Sequence, residues 1–380
     1  MFSAWLRAMS WGIRAFWVGV VVLAVMWLSF FLPGRFEDQK QKLRPVQSTE
    51  LPRLAVDISQ TSVSGISSGA YMAGQFQFAH GRHVVGAGII AGGPYGCSES
   101  AFSSGGRVAG GILFNASKAI NGCMLNAFAM FGIPNPVHLA QKARKRSEAG
   151  QIDAIGTVLQ DRVYLFSGTK DRIVHPAIVR AAAAFYRNLG VPEPQIQFVS
   201  GIAAGHAFIT ETQGGACGSS SEPYIVDCDY DQAGALLQHI YGRLAPPGAA
   251  HDDGFIIFDQ KPFLRDKPDA GMASHAVLYV PRACKSSSAR CRVHIAFHGC
   301  GQNRKAVGDA FVRKTGFVRW AESNNIVVLF PQVAKSSVNR QGCWDWWGYS
   351  GNNFLTREAP QVVAVFQMLQ QLSRGQAGVF

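Results

Sequence analysis

Beyond residue 50, short apolar segments alternate with longer segments of helical periodicity. Apolar runs that end at glycine, serine or proline predict strands at Leu54–Val63, Val84–Ile90, Arg162–Phe166, Ile196–Val199, His275–Pro281, Val293–Phe297 and Ile326–Phe330. Helical spacing predicts helices at Ala70–His80, Val137–Glu148, Pro176–Leu189, Val307–Ser323 and Pro360–Leu372. This alternation predicts an α/β fold with a mostly parallel sheet flanked by helices. The alternating pattern of His275–Pro281 and Val293–Phe297 predicts a hairpin.

The N-terminal segment has a different pattern. Residues Ala15–Leu32 carry no charge and are mostly apolar, and a run of this length is just sufficient to span a bilayer. Residues 1–34 are therefore predicted to be a signal anchor or a cleaved signal peptide, with a possible membrane tether at 15–32. Residues 35–50 are polar and are predicted to be a linker, and 51–380 are predicted to form one catalytic domain.

Composition narrows the class of protein. Charged residues make up 16% of the chain and hydrophobic residues 48%, which excludes a disordered chain. The net charge is +12, and part of it clusters in Gln141–Arg146. No nucleic-acid-binding motif accompanies this cluster, so it is interpreted as a solvated helix face and no nucleic-acid partner is expected.

The eight cysteines all follow the apolar N-terminal segment, and none forms a C-x-x-C motif. An even number in this position predicts an exported domain with disulfides, located in the periplasm or outside the cell, with or without an inner-membrane anchor. Scattered buried thiols are the alternative. Pairing between sequence neighbours predicts the bridges Cys97–Cys123, Cys217–Cys228, Cys284–Cys291 and Cys300–Cys343.

Three residues at predicted strand ends could form a catalytic triad. Ser67 lies between Gly65 and Gly69, after a β-prone run and before a helical one, as in a nucleophile elbow. Asp171 follows the predicted strand Arg162–Phe166 and His206 follows Ile196–Val199, and at such strand ends a carboxylate can orient an imidazole. Taken singly, each fits an ordinary loop residue. Together, their order along the chain is that of α/β-hydrolases, so the three predict a serine hydrolase.

The rear of the chain supplies two further motifs. A strand runs into His298-Gly-Cys300-Gly, which is similar to the oxyanion-hole loop of esterases, although a plain turn would also fit. In α/β-hydrolases this loop precedes the nucleophile, so its late position predicts a circularly permuted fold with its junction near Ala245–Gly254. An aromatic cluster follows. We predict that substrate contacts His298 and the cluster residues Trp344, Trp346, Trp347 and Tyr349, although core packing is the alternative for the aromatic rings.

Five motifs together resemble the type 2, circularly permuted catalytic domain of extracellular short-chain-length polyhydroxyalkanoate depolymerases. They are Gly65-Ile-Ser-Ser-Gly-Ala-Tyr-Met72, Ser167-Gly-Thr-Lys-Asp171, Gly205-His206, Phe297-His-Gly-Cys-Gly-Gln302 and Cys343-Trp-Asp-Trp-Trp-Gly-Tyr349. The resemblance covers about Leu54 to Leu372 and implies a poly(3-hydroxybutyrate)-type polyester or oligomer as substrate. It implies Ser67 as nucleophile, Asp171 and His206 as its partners, and the N–H groups of Ser68 and Cys300 as oxyanion donors.

A two-step acyl transfer of this kind needs no metal and no organic cofactor. Two other functions remain open at the level of sequence. One is an exported carboxylesterase for feruloyl or acetyl esters. The other is a tethered, non-catalytic protein that grips a polymer through its aromatic cluster.

Overall fold

A computed structural model describes residues 49–99, 120–125, 133–264, 270–286 and 290–374. All of these residues belong to one unit of tertiary contacts, Gln47–Phe380. The predicted signal segment lies outside the described residues, as does most of the predicted linker, so the N-terminal assignments and the domain boundaries stay predictions. No helix in the described part of the chain is long and apolar enough to cross a membrane.

Strands and helices alternate along the described residues. The strands are β1 Val56–Ile66, β2 Val84–Ile90, β3 Arg162–Phe166, β4 Ile196–Val199, β5 Phe208–Thr210, β6 Gly215–Ala216, β7 Ile225–Asp227, β8 Phe255–Asp259, β9 His275–Tyr279, β10 Cys291–Phe297 and β11 Ile326–Phe330. The helices are α1 Ser68–Ala79, α2 Pro136–Glu148, α3 Ile155–Val158, α4 Pro176–Leu189, α5 Gln232–Tyr241, α6 Arg304–Val307, α7 Ala310–Lys314, α8 Phe317–Asn324 and α9 Pro360–Ser373. Short 3-10 turns join several of them.

In the described part of the chain, the main sheet has eight strands in the order β4-β3-β2-β1-β10-β11-β9-β8. Neighbours from β4 through β11 run parallel, whereas β9 is antiparallel to both β11 and β8. A small parallel sheet contains β5, β7 and β6. This architecture confirms the predicted α/β fold with a mostly parallel sheet flanked by helices.

The strand order also confirms the predicted circular permutation. The late strand β10 lies in the middle of the sheet, where Phe297 pairs with Gly65 of β1. If the strands are counted from β8, the loop that contains His298 follows the third strand, as the oxyanion loop of α/β-hydrolases does. The strands β8 to β11, late in this chain, therefore occupy the positions that the first strands have in an unpermuted α/β-hydrolase.

The centre of the sheet is buried on both faces, which explains its continuous apolar runs. Every residue of β11 is buried, and so is every residue of α1, which packs on β1, β2 and β10. α9 packs against α1, and α5 packs against α8. The first turn of α1, which follows Ser67, is thus fixed against three strands of the sheet.

The predicted hairpin is wrong. β11 lies between β9 and β10, and β9 pairs with β8 and β11 instead. Alternation of polar and apolar residues reports which face of a strand is buried, and it does not identify the partner strand. The sequence pattern also left β8, α5 and the two- or three-residue strands of the small sheet unassigned.

The predicted helix Val307–Ser323 is also wrong, because α6 ends at Val307 and the rest of the segment forms two short helices, α7 and α8. Gly308 and Gly316 have φ values of 59° and 90°. These are left-handed conformations that end a helix and that glycine adopts without strain. Helical spacing continues across both interruptions, so the pattern alone did not reveal them.

The basic cluster Gln141–Arg146 lies on α2 and is more than a solvated face. Arg146 and Lys142 both form ion pairs with Glu99, the latter at 3.5 Å. The Arg144 guanidinium donates to the carbonyl oxygen of Leu189 at 2.9 Å, where α4 ends. Three cations of the cluster therefore have partners within the protein.

All four predicted disulfides are confirmed, and they account for all eight cysteines. Cys300–Cys343 joins the loop after β10 to the aromatic cluster. Cys217–Cys228 closes the segment that follows β5.

Candidate active site

Ser67 occupies the turn between β1 and α1. Its φ of 57° and ψ of −122° form a strained conformation that residues other than glycine rarely adopt. Its glycine neighbours are required by space. A Cβ at Gly65 would stand 2.2 Å from the Gly69 carbonyl oxygen, and one at Gly69 would stand 2.3 Å from that of Phe297. This is the tight turn of a nucleophile elbow, and it holds Ser67 at the carboxyl edge of the sheet.

His206 and Asp171 form a buried hydrogen-bonded pair. His206 Nδ1 lies 2.8 Å from Asp171 Oδ2, and Asp171 Oδ1 accepts the main-chain N–H groups of Ile173 and Val174 at 2.8 and 2.9 Å. Because the carboxylate accepts the Nδ1–H, the neutral ring carries its lone pair on Nε2. That nitrogen has the form that a general base needs.

Main-chain hydrogen bonds hold the Asp171 and His206 loops side by side. The N–H of Thr169 donates to the carbonyl of Ile202 at 2.9 Å, and the N–H of Lys170 donates to that of Ala204 at 3.1 Å. These bonds continue the pairing of β3 with β4 beyond the strands themselves. The carboxylate and the imidazole therefore meet because they follow adjacent parallel strands.

Ser67 lies at the same edge of the sheet as this pair. Tyr71 lies one turn along α1 from Ser67. Burial raises the pKa of Tyr71 well above its usual value, and the negative charge of Asp171 raises it further, which places the carboxylate near this turn of the helix. Within the described residues, Ser67 Oγ makes no hydrogen bond to His206. Hydrogen bonds between nucleophile and base are often long in free enzymes and shorten when substrate binds.

Two main-chain N–H groups beside Ser67 have no hydrogen-bond partner among the described residues, those of Ser68 and Cys300. The loop after β10 approaches the serine closely, since a Cβ at Gly299 would stand 3.5 Å from the Cβ of Ser67. Unpaired N–H groups next to a nucleophile are the donors that stabilise an oxyanion. The N–H groups of Ser68 and Cys300 therefore remain available for the predicted role of oxyanion donors.

The neighbours of Cys300 in this loop are already engaged. The N–H of Gly299 donates to Gln302 Oε1 at 2.9 Å, and the N–H of Gly301 donates to the carbonyl of Gln341 at 2.7 Å. Cys300 is therefore the residue between them whose N–H remains available.

His298 is fully buried, so the prediction that it contacts substrate is wrong. Its Nδ1 donates to the Gly299 carbonyl at 2.7 Å, and its Nε2 accepts the N–H of Val333 at 3.3 Å. Burial lowers the pKa of His298 to about 4, so the ring is neutral near pH 7. The side chain shapes the oxyanion loop from beneath.

Trp344 is fully buried as well, and the prediction of substrate contact is wrong for this ring. It packs edge-on against Phe297 with ring centroids 4.9 Å apart. Its main-chain N–H donates to Ser68 Oγ at 3.3 Å. Trp344 thus supports the elbow, as the core-packing alternative describes.

The other three aromatic residues form a continuous row of rings. Trp346 is 5% exposed and stacks on Tyr71 at 4.3 Å. Trp347 packs edge-on against Trp346, and Tyr349 lies 4.9 Å from Trp347. Trp347 and Tyr349 are half-buried and offer apolar surface.

Asp345 holds this aromatic segment in place, and the sequence analysis did not identify it. Its Oδ1 accepts the N–H groups of Trp347, Gly348 and Tyr349 at 3.3, 2.7 and 3.0 Å. Its Oδ2 accepts the N–H and the hydroxyl of Ser350 at 2.8 and 2.6 Å. Burial raises the pKa of Asp345, and these hydrogen bonds to the carboxylate oppose the rise.

Comparison with known proteins places the chain among relatives. No family model matches it. A curated protein from Talaromyces funiculosus, described as a polyhydroxybutyrate depolymerase, is 31% identical over 350 residues that cover 88% of this chain and 95% of the relative. The chain belongs to the polyhydroxybutyrate depolymerase family. A poly(3-hydroxybutyrate) depolymerase from Delftia acidovorans is 38% identical over 335 residues, and this chain spans 63% of its length.

Two solved structures extend the family comparison. They are a PHB depolymerase from Penicillium funiculosum and a serine-to-alanine variant of a PHB depolymerase complexed with an R3HB trimer. Each has 30% sequence identity and a TM-score of 0.74, and each match covers 86% of this chain and 99% of the other. The resemblance drawn from the five motifs is confirmed.

The site of this depolymerase-family chain draws on three distant parts of the sequence. Strand-end position was enough to predict Ser67, Asp171 and His206 as candidates, and their roles stay predictions. It could not identify Gln302 or Asp345, whose importance comes from the buried main-chain groups that they satisfy. The available signal for Asp345 was a turn-forming aspartate with Gly348 three residues and Ser350 five residues after it.

Proposed function

We propose that this chain is a serine esterase that hydrolyses poly(3-hydroxybutyrate)-type polyester or its oligomers. The Asp171–His206 hydrogen bond, at the same sheet edge as the Ser67 elbow, is the observation that carries the proposal. The substrate class is supported by relatives named as poly(3-hydroxybutyrate) and polyhydroxybutyrate depolymerases, and by a similar structure that holds an R3HB trimer.

In the first step, Ser67 Oγ attacks the ester carbonyl carbon while His206 Nε2 takes its proton and Asp171 holds the imidazole tautomer. The oxyanion accepts hydrogen bonds from the N–H groups of Ser68 and Cys300. When this intermediate collapses, the ester C–O bond breaks and His206 returns the proton to the departing alkoxide. In the second step, His206 deprotonates a water that attacks the acyl-Ser67 ester, which releases a hydroxy acid and restores the serine.

The row of rings formed by Trp346, Trp347 and Tyr349 is proposed to receive the substrate chain. A poly(3-hydroxybutyrate) chain carries a methyl group on each repeat, and the half-buried faces of Trp347 and Tyr349 suit such an apolar, extended ligand. The buried ring of Trp346 supports them by packing edge-on against Trp347. Four disulfides support an exported protein, and we place it in the periplasm or outside the cell.

The test compares the wild type with Ser67→Ala on a panel of esters: R3HB trimer, amorphous poly(3-hydroxybutyrate), a feruloyl ester and an acetyl ester. We expect the wild type to cleave the trimer and the variant to lose about 10³-fold or more in kcat. A fluorophosphonate should label the wild type at Ser67. Ser59→Ala, an exposed serine on the same strand, is the control and should keep full activity.

Cleavage of the feruloyl or acetyl ester with the trimer left intact would favour the alternative exported carboxylesterase. Absence of labelling and of hydrolysis would favour the non-catalytic, polymer-gripping protein.

A further inference from the structure

Gln302 lies beside the oxyanion loop and is 1% exposed. Its Oε1 accepts the N–H of Gly299 at 2.9 Å, and its Nε2 donates to the carbonyls of Pro223 and Tyr224, each at 3.1 Å. These partners fix the orientation of the amide. Only the oxygen can face an N–H group, and only the nitrogen can face two carbonyls.

The segment that accepts these two hydrogen bonds also accepts hydrogen bonds from the segment that contains His206. We call residues 217–228, closed by Cys217–Cys228, the bridged loop. The N–H of His206 donates to Ser220 Oγ in this loop at 2.7 Å, and the N–H of Phe208 donates to the Tyr224 carbonyl at 2.8 Å. The Tyr224 carbonyl therefore accepts from both the histidine segment and Gln302.

From these contacts we propose that Gln302 is a positioning residue that joins the oxyanion loop to the bridged loop and thereby to His206. Its amide holds the available N–H of Cys300 in register with the imidazole. The inference rests on the proposed function, in which Cys300 and His206 act on the same ester carbonyl.

The covalent bridges do not make this connection. Cys217–Cys228 lies within the bridged loop, and Cys300–Cys343 ties the oxyanion loop to the aromatic cluster. Among the described residues, the hydrogen bonds between the bridged loop and the oxyanion loop come from the Gln302 amide. Two segments far apart in the chain thus depend on one side chain for their alignment.

Gln302→Glu tests this alignment with almost no change of shape. At pH 8 the carboxylate has no proton to donate and faces two carbonyl oxygens, so the two loops should separate. We expect kcat on R3HB trimer to fall about 10- to 100-fold, less than or comparable to removal of an oxyanion donor. KM should change less than about threefold, because the lost interaction belongs to the transition state.

The pH profile distinguishes positioning from general damage. A buried carboxyl group between two carbonyls has a raised pKa, so it protonates as the pH falls. The protonated form can donate one of the two lost hydrogen bonds. The ratio of variant to wild-type kcat should therefore rise as the pH is lowered and fall as it is raised.

Gln195→Glu is the matched control. The Gln195 amide also donates to two main-chain carbonyls, those of Leu159 and Asp161, at 3.1 and 2.8 Å. Gln195 precedes β4 and therefore lies at the amino end of that strand, opposite the site. The kcat of Gln195→Glu should equal that of the wild type at every pH.

Wild-type kcat in Gln302→Glu at pH 8, or a lowered kcat whose ratio to wild type does not change with pH, would overturn the inference. If the Glu variant does not fold, Gln302→Met, which is neutral and similar in length, is the second test. It should show the lowered kcat without the pH effect. Full activity of Gln302→Met would also overturn the inference. A wild type that neither cleaves R3HB trimer nor reacts at Ser67 would instead overturn the proposed function.

Discussion

Gly69 lies where the first turn of α1 crosses the end of β10. A Cβ at this position would stand 2.3 Å from the Phe297 carbonyl oxygen and 2.5 Å from that of His298. Both are main-chain atoms, so Gly69→Ala must displace either the elbow or the oxyanion loop. We expect a loss of about 1–3 kcal/mol in unfolding free energy from overpacking, and a lowered kcat. Urea unfolding and ester hydrolysis measure the two effects.

Gly74, in the same helix, provides the control. A Cβ there would meet Ile89 Cδ1 at 3.9 Å, an ordinary contact. Gly74→Ala should raise the unfolding free energy by about 0.5–1 kcal/mol, because alanine loses less conformational freedom in a helix, with kcat unchanged. Equal behaviour of the two variants would contradict the assigned crowding at Gly69.

Residue types and strand ends were sufficient to predict Ser67, Asp171 and His206 as candidates. They were insufficient for His298 and Trp344, which belong to the two motifs from the rear of the chain but are buried in the core. A loop sequence does not state which of its side chains face inward. That is decided by the strands and helices that pack beneath it, and those come from other parts of the chain.

Among the elements, the aromatic segment depends most on a single group, the Asp345 carboxylate. Asp345→Asn replaces one carboxylate oxygen by an N–H₂ group, which would face either the main-chain N–H of Ser350 or those of Trp347, Gly348 and Tyr349. Because a buried donor then loses its acceptor, we expect unfolding free energy to fall by about 1–3 kcal/mol. KM for R3HB trimer should rise as the rings move, and kcat should change less. Urea unfolding and steady-state kinetics measure both.

Asp57 offers a comparison on the surface. Its Oδ1 accepts the N–H and the hydroxyl of Ser59 at 2.9 and 2.6 Å, the same pair of donors that Ser350 gives Asp345. Asp57→Asn should leave KM and stability close to wild type, since water replaces lost hydrogen bonds at exposed sites. The role given to Asp345 would be refuted by an Asp345→Asn enzyme with unchanged KM.

Element prediction succeeded where a buried strand or a continuous helix left an uninterrupted pattern, as in β11 and α4. It failed for Val307–Ser323, where two glycines turn the chain without changing the apolar spacing. It also failed for the pairing of β9, because the choice of partner is made by chain topology.

At the scale of the whole molecule, three histidines, two of them fully buried and one partly buried, should make the fold sensitive to acid. Burial lowers the pKa of His80 to about 4, of His294 to about 3 and of His298 to about 4. Unfolded histidines bind protons near pH 6.5. Between pH 6.5 and about 4 the unfolded chain therefore holds protons that the folded chain lacks, so the unfolding free energy falls as the pH is lowered.

Each histidine should contribute a slope of up to about 1.4 kcal/mol per pH unit in this window, measurable by urea unfolding from pH 7 to 4.5. His294→Gln isolates one of them. In the wild type, the ring nitrogens of His294 contact the hydroxyls of Ser62 and Ser64 at 2.7 and 2.8 Å. Glutamine can keep such hydrogen bonds without titrating. The variant should be less stable at pH 7 but lose stability more slowly with acid. An unchanged slope would contradict this assignment.

The middle of the sheet has a consequence for how the protein is made. β1 is synthesised early, but its neighbour β10 is translated only after more than two hundred further residues. Until then, one edge of β1 in the nascent chain has unpaired backbone N–H and C=O groups. Such an edge invites pairing with other chains, which a holdase chaperone would prevent. In the proposed mechanism, the same delay leaves Ser67 without the N–H of Cys300 until the segment after β10 has been synthesised. Hydrolytic activity would then arise late in the biogenesis of the chain.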